Sequence, residues 1–125
     1  MYVNNRLKLR IVTFYKTADD EKPIVEWLDG LGDERAKAVA MGIKFFEEYP
    51  NQVVPKKFFE KVKGAEHLWE IKAHYGKDQI RLLAFRDGER IIAVLGITKK
   101  SMDLKKHDLA TAEARRKDYL QRKNT

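Results

Sequence analysis

Residues 68–98 read LWEIKAHYGKDQIRLLAFRDGERIIAVLGIT, and this stretch decides the fold. It splits into three runs rich in β-branched, aliphatic and aromatic residues, 68–73, 79–86 and 90–98, each of strand length. Asp87-Gly88 between the second and third runs is a strong hairpin signal. Residues 74–78 contain Gly76 and turn between the first two. Sequential hairpins predict an antiparallel meander.

Upstream, residues 7–15 (LKLRIVTFY) read as a further strand. Thr17-Ala18-Asp19-Asp20 supplies turn and N-cap chemistry. Pro23 falls in a first helical turn, where its missing N–H costs nothing. Ile24, Trp27, Leu28 and Leu31 then recur at helical spacing, and Gly30 and Gly32 end that helix. Asp33 is placed to cap a second helix carrying Ala36, Val39, Ala40, Ile43 and Phe46 on one face, closed by Tyr49-Pro50. The two form a helical hairpin. Residues 51–66 are irregular, with Phe58, Phe59 and Val62 anchoring a connection to the core. Residues 108–121 read as a last helix, and the tail 122–125 frays. The order β-α-α-β-β-β-α defines an α+β fold in a single domain spanning 1–125. The helical hairpin covers one face of the sheet, and the other face is left as a working surface.

The 125 residues are enough to bury a core without staples. The absence of cysteine removes disulfides and thiolate metal sites. No apolar run approaches the ~20 residues that span a bilayer, and Met1 to Arg10 lacks a signal-peptide core. These features predict a soluble protein of the cytoplasm. The net charge of +7 is uneven: residues 1–50 hold 8 basic and 9 acidic side chains, residues 51–125 hold 18 and 10. A basic surface attracts polyanions by counterion release, or an acidic protein partner by charge complementarity.

Strand alternation sorts the meander's faces. Trp69, Ile71 and Ala73 share one face. Leu68, Glu70 and Lys72 share the other, so Glu70 and Lys72 are expected to look outward. In the next run Ile80, Leu82 and Ala84 oppose Arg81, Leu83 and Phe85. Arg81 is the odd charge in an apolar run, costly unless it reaches solvent or a partner. Two readings stand side by side. Lys72, Arg81 and Lys99 or Lys100 converge on one face to hold a phosphate, or Arg81 pairs with Glu70 in an ordinary cross-strand salt bridge. His107, at the last helix's entry, is a general base or a capping side chain. His67 and His74 flank a strand with no carboxylate at metal spacing, which argues against zinc. Tyr75 and Tyr119 stack on bases or serve the core and surface. Trp27 and Trp69 sit in apolar patterns and read as core. Gly96 marks a bulge or a close backbone approach.

Four pieces in order resemble the RelE/ParE toxin superfamily, its phage-derived, HigB-like branch in particular. They are Leu68-Trp69-Glu70-Ile71-Lys72, Arg81-Leu82-Leu83, Lys99-Lys100 and Ala112 through Tyr119. Ile80 stands where that pattern often has a tyrosine, and no proline follows Lys100. The resemblance spans residues 7–120. It implies a RelE-like fold whose antiparallel sheet is mixed at the N-terminal strand. It also implies a type II toxin that cleaves messenger RNA on the ribosome without metal or cofactor and is neutralised by an antitoxin, a helix-turn-helix protein. The implied reaction is attack of a 2′-hydroxyl on the adjacent phosphate. It needs a proton acceptor, positive charge on the phosphorane oxygens and a proton donor. Carried over position by position, Lys72, Arg81, Lys99 and Lys100 are the catalytic candidates. Glu70, Tyr75, Phe85, Lys105, His107 and Tyr119 are the candidate RNA contacts. The same fold also hosts gyrase-binding ParE-like toxins and inactive binding proteins.

Overall fold

The computed structural model describes residues 9–99 and 105–123. Among them lie five strands and three helices: β1 Ile11–Phe14, α1 Pro23–Leu31, α2 Asp33–Glu48, β2 Phe59–Lys61, β3 Trp69–Tyr75, β4 Asp78–Asp87, β5 Arg90–Lys99 and α3 Lys106–Lys123. The result is an α+β protein with one open mixed sheet, ordered β1-β5-β4-β3-β2. β1 runs parallel to β5, and every other pairing is antiparallel.

Both meander hairpins are two-residue loops, Gly76-Lys77 and Gly88-Glu89, closed by the pairs Tyr75–Asp78 and Asp87–Arg90. Glycine is the first loop residue each time, with φ of 60° and 62°. A positive φ at that position alone is the type II′ pattern, whose twist matches the flanking strands. The short strand β2 was not expected from the irregular segment 51–66. It pairs Phe59 with Ile71 and Glu60 with Glu70, and forms one edge of the sheet. Phe59 and Val62 are buried, as an anchored connection requires.

Pro23 opens α1, as expected. Asp33 does not cap α2; it is that helix's first residue, and Gly32 (φ 88°) occupies the corner between the helices. Ile24, Val39 and Phe46 are buried beneath the helical hairpin. They pack with Ile71, Leu82, Ala84, Ile91 and Ala93, or with Ala73 and Ile80, on one sheet face. Ala40 is exposed and outside this stripe. Gly96 is a close approach: a Cβ there would lie 2.1 Å from the ring of Trp27. Gly96 pairs with Leu82, so α1 rests its indole directly on the backbone of β5.

The second face is not left open. α3 lies across it, with Leu109, Ala112, Tyr119 and Leu120 against Leu83, Phe85, Ile92, Val94 and Ile97. Polar contacts add to this sparse apolar stripe. The Tyr15 hydroxyl donates to Asp118 Oδ2 (2.6 Å), and that of Tyr119 donates to Asp87 Oδ2 (2.7 Å). A register shift at Leu83/Ala84 leaves Val94 as the extra residue of a bulge in β5. Arg115 donates to the Val94 carbonyl at 2.7 Å, satisfying an acceptor beside the irregular ladder. Beyond α3, toward β2 and β3, this face carries the charged side chains Glu60, Glu70, Lys72 and Arg81.

Candidate functional site

The register of β3 on β4 sets Lys72 directly opposite Arg81 and Glu70 opposite Leu83, while β2 adds Glu60 beside Glu70. These four charged side chains therefore meet on the face away from the helical hairpin. Lys72 Nζ lies 2.8 Å from Glu60 Oε1 and 3.6 Å from Glu70 Oε1. Arg81 Nη1 lies 3.5 Å from the same Glu70 oxygen, and Arg81 Nη2 donates to Gln79 Oε1 at 2.9 Å. Glu70 and Arg81 are each only 5% exposed. The expectation that Glu70 and Lys72 look outward into solvent is thus corrected. They point away from the helical hairpin but into an ion-paired cluster that β2 helps to enclose.

Both readings of Arg81 meet in this geometry. Arg81 does pair with Glu70, and Lys72 and Arg81 do converge. Burying one ion of such a cluster alone would cost several kcal/mol, roughly, so the pairing is what makes the cluster tolerable. Lys72, first by its hydrogen bond and then by its charge, holds the Glu60 carboxyl below the usual carboxylate range. Glu60 is thus an anion at neutral pH, half-exposed at the cluster's rim.

Beside the cluster opens a groove of about 200 Å³ lined by Lys57, Lys72, His74, Gln79 and Arg81. Lys57, His74, Gln79 and Glu60 were not among the sequence candidates. Lys57 and Glu60 lie in the segment whose sequence is irregular, and the sequence around His74 speaks only to metal binding. The backbone of Lys99 pairs with Gln79, which sets that residue's position at the groove's end of β5. Lys100 lies outside the described residues.

The remaining candidates are spread out. Phe85 is 1% exposed and belongs to the core under α3, where Tyr119 packs edge-on against it. It offers no face to a nucleic acid, so its assignment as an RNA contact is corrected. Tyr119 is committed to the same core, with its hydroxyl held by Asp87. Tyr75 is exposed, with Arg35 over its ring at 5.1 Å. Lys105 and His107 are exposed at the start of α3.

The site this fold presents is a groove lined by Lys57, Lys72 and Arg81, beside the ion-paired carboxylates of Glu60 and Glu70. That places the chain among small α+β proteins with a basic groove on the sheet. Residues 26–117, about three quarters of the chain, match the family described as Phage derived protein Gp49-like (DUF891), and the chain belongs to that family. The family is toxin-like and related to the toxins of toxin–antitoxin systems. No curated protein matches the chain. No helix among the described residues is long and apolar enough to cross a membrane.

Proposed function

We propose that this protein is the toxin of a toxin–antitoxin pair, of the HigB-like branch of the RelE superfamily, and that it cleaves messenger RNA on the translating ribosome. The observation that carries the reading is the groove in which Lys72 and Arg81 stand as cross-strand partners, with Lys57 and His74 on its walls. A scissile phosphate there takes its charge stabilisation from Lys72 and Arg81, the function such cations serve in phosphoryl chemistry. Glu70, between the two, is the positioning residue that fixes their geometry. Attack by the 2′-oxygen requires a group that accepts its proton, and expulsion of the 5′-oxygen requires one that returns a proton. The imidazole of His74 in the groove and the carboxylate of Glu60, which stands beside the groove bonded to Lys72, are the proton-transfer groups in this account. Lys99, which ends β5, and Lys100 after it add to the positive charge in this account. Lys105 and His107 extend the RNA contact at the head of α3. An antitoxin, a helix-turn-helix protein in this account, silences the toxin by covering the groove.

The ion pairing itself favours a second reading. A cluster already neutralised by Glu60 and Glu70 also suits a toxin that only binds its target, as gyrase-directed relatives of this fold do. Expression from a tight promoter with mapping of RNA 5′ ends separates the two. New ends within reading frames, absent in Arg81→Ala of unchanged circular dichroism, support cleavage through this groove. Growth arrest with intact message and a DNA-damage response overturns cleavage and supports gyrase.

A further inference from the structure

A second and larger pocket, about 500 Å³, opens on the other side of the edge strand β2. Four cations line it, Arg10, Lys56, Lys61 and Arg86, against one carboxylate, Glu60. That carboxylate is already engaged by Lys72. Main-chain carbonyls, which carry no net charge, hold two of the cations in place. Arg10 donates to the carbonyls of Phe46, Tyr49, Asn51 and Gln52, and Lys61 donates to those of Ala65 and Glu66. Arg10 and Arg86 line the same pocket, and burial, then the charge of Arg86, lower the Arg10 pKa. Among the described residues no carboxylate pairs with Arg86; its guanidinium lies 5.0 Å from the centre of the Trp69 ring. Trp69 in turn stacks on Phe59 at 4.9 Å and 3°.

The geometry points to a binding site for a nucleoside phosphate in this pocket, with Arg86 and Lys56 taking the phosphate and the Trp69 ring, stacked on Phe59, taking the base on the face that Arg86 now covers. Fixed positive charge without a neutralising carboxylate calls for an anion. The parallel Phe59–Trp69 pair suits stacking with a further planar ring, where Arg86 over Trp69 now stands. The volume suits one nucleotide. Glu60 and the neighbours Lys56 and Lys57 connect this pocket to the Lys72/Arg81 groove. A strand of RNA with its scissile phosphate in the groove can therefore place a second nucleotide here. That source rests on the RNA-cleaving reading; the pocket's own chemistry does not.

The test is calorimetric titration of the whole chain and of Arg86→Gln with 5′-AMP, inorganic phosphate, a 2′-O-methyl oligoribonucleotide and an Asp/Glu-rich peptide. Arg86 is exposed, so its replacement leaves the fold intact. The expected result is AMP binding tighter than inorganic phosphate, weakened about tenfold or more by Arg86→Gln, the loss of one charge-assisted contact. An oligonucleotide tighter than AMP makes RNA the source; one no tighter makes it a free nucleotide. AMP binding no tighter than phosphate, or unchanged in Arg86→Gln, overturns the proposal. So does binding of the peptide without the nucleotide. RNA cleavage, read in parallel, separates the two accounts. AMP binding without cleavage leaves the pocket standing, and cleavage without AMP binding removes the pocket alone.

Discussion

Replacing Gly96 by alanine tests how α1 is seated on the sheet. The added Cβ would stand 2.1, 2.2 and 2.4 Å from Cδ2, Cε3 and Cε2 of Trp27. Carbon atoms rest about 3.5–4 Å apart, so the indole must withdraw by roughly 1.5 Å. Trp27 belongs to two apolar clusters, with Ile24 and Phe46 in one and Val39 and Ile80 in the other. Its withdrawal therefore loosens both helices. Overpacking costs about 1–3 kcal/mol, and a rigid bicyclic ring blocked by backbone belongs at the upper end, about 3 kcal/mol. For a domain of this size that lowers Tm by about 12 °C, at about 4 °C per kcal/mol. Thermal unfolding followed by circular dichroism measures it. Trp27→Leu in the Gly96→Ala background should recover about 2 kcal/mol relative to additivity, because the clash is then gone. A Gly96→Ala protein melting within about 2 °C of the parent would refute the close approach.

Other outcomes follow from the same contacts. Arg10→Gln removes most of a guanidinium that ties four carbonyls at the end of α2 and the following loop; it should cost about 2 kcal/mol in urea unfolding and expose residues 50–56 to proteolysis. Glu70→Leu leaves Lys72 and Arg81 without the carboxylate between them, and equilibrium unfolding should show a loss of about 3–5 kcal/mol. The carboxyls of Glu60, Asp87 and Asp118 are all depressed, by Lys72, by Lys123 and Tyr119, and by Arg122 and Tyr15 respectively. Groups with lowered folded-state pKa contribute stability that is complete above their unfolded values and is lost as pH falls through the folded ones. Stability should therefore decline on the acid side of the carboxylate range, and Asp87→Asn should flatten that limb in a pH series of denaturation midpoints.

The meander was legible because its signals are local. Alternation around Trp69–Ala73 and Ile80–Ala84, with Gly76 and Gly88 at the turns, fixes both register and faces. The helical hairpin was legible from the spacing of Ile24, Trp27, Val39 and Phe46. β2 was not, because three residues carry too little periodicity, and its pairing with β3 is set by tertiary context. Nor was the placement of α3 over the second face. Its apolar stripe is thin, and it is held by long-range partners such as Tyr15–Asp118 and Arg115–Val94 that no local pattern announces. For the same reason Phe85, a candidate RNA contact from the sequence, proves to be core. At the site, alternation placed Lys72 and Arg81 on one face. Glu60 and Lys57 stayed hidden with the edge strand that carries them.

The most direct measurement uses purified protein and ribosomes programmed with a message carrying one 2′-deoxynucleotide at a mapped cleavage position. The ribose message should be cut to a 2′,3′-cyclic phosphate and a 5′-hydroxyl, and the single deoxy substitution should abolish the cut there. Cleavage of the deoxy message at that position, or a 5′-phosphate on the product, would contradict attack by the 2′-oxygen and with it the role given to the Lys72/Arg81 groove.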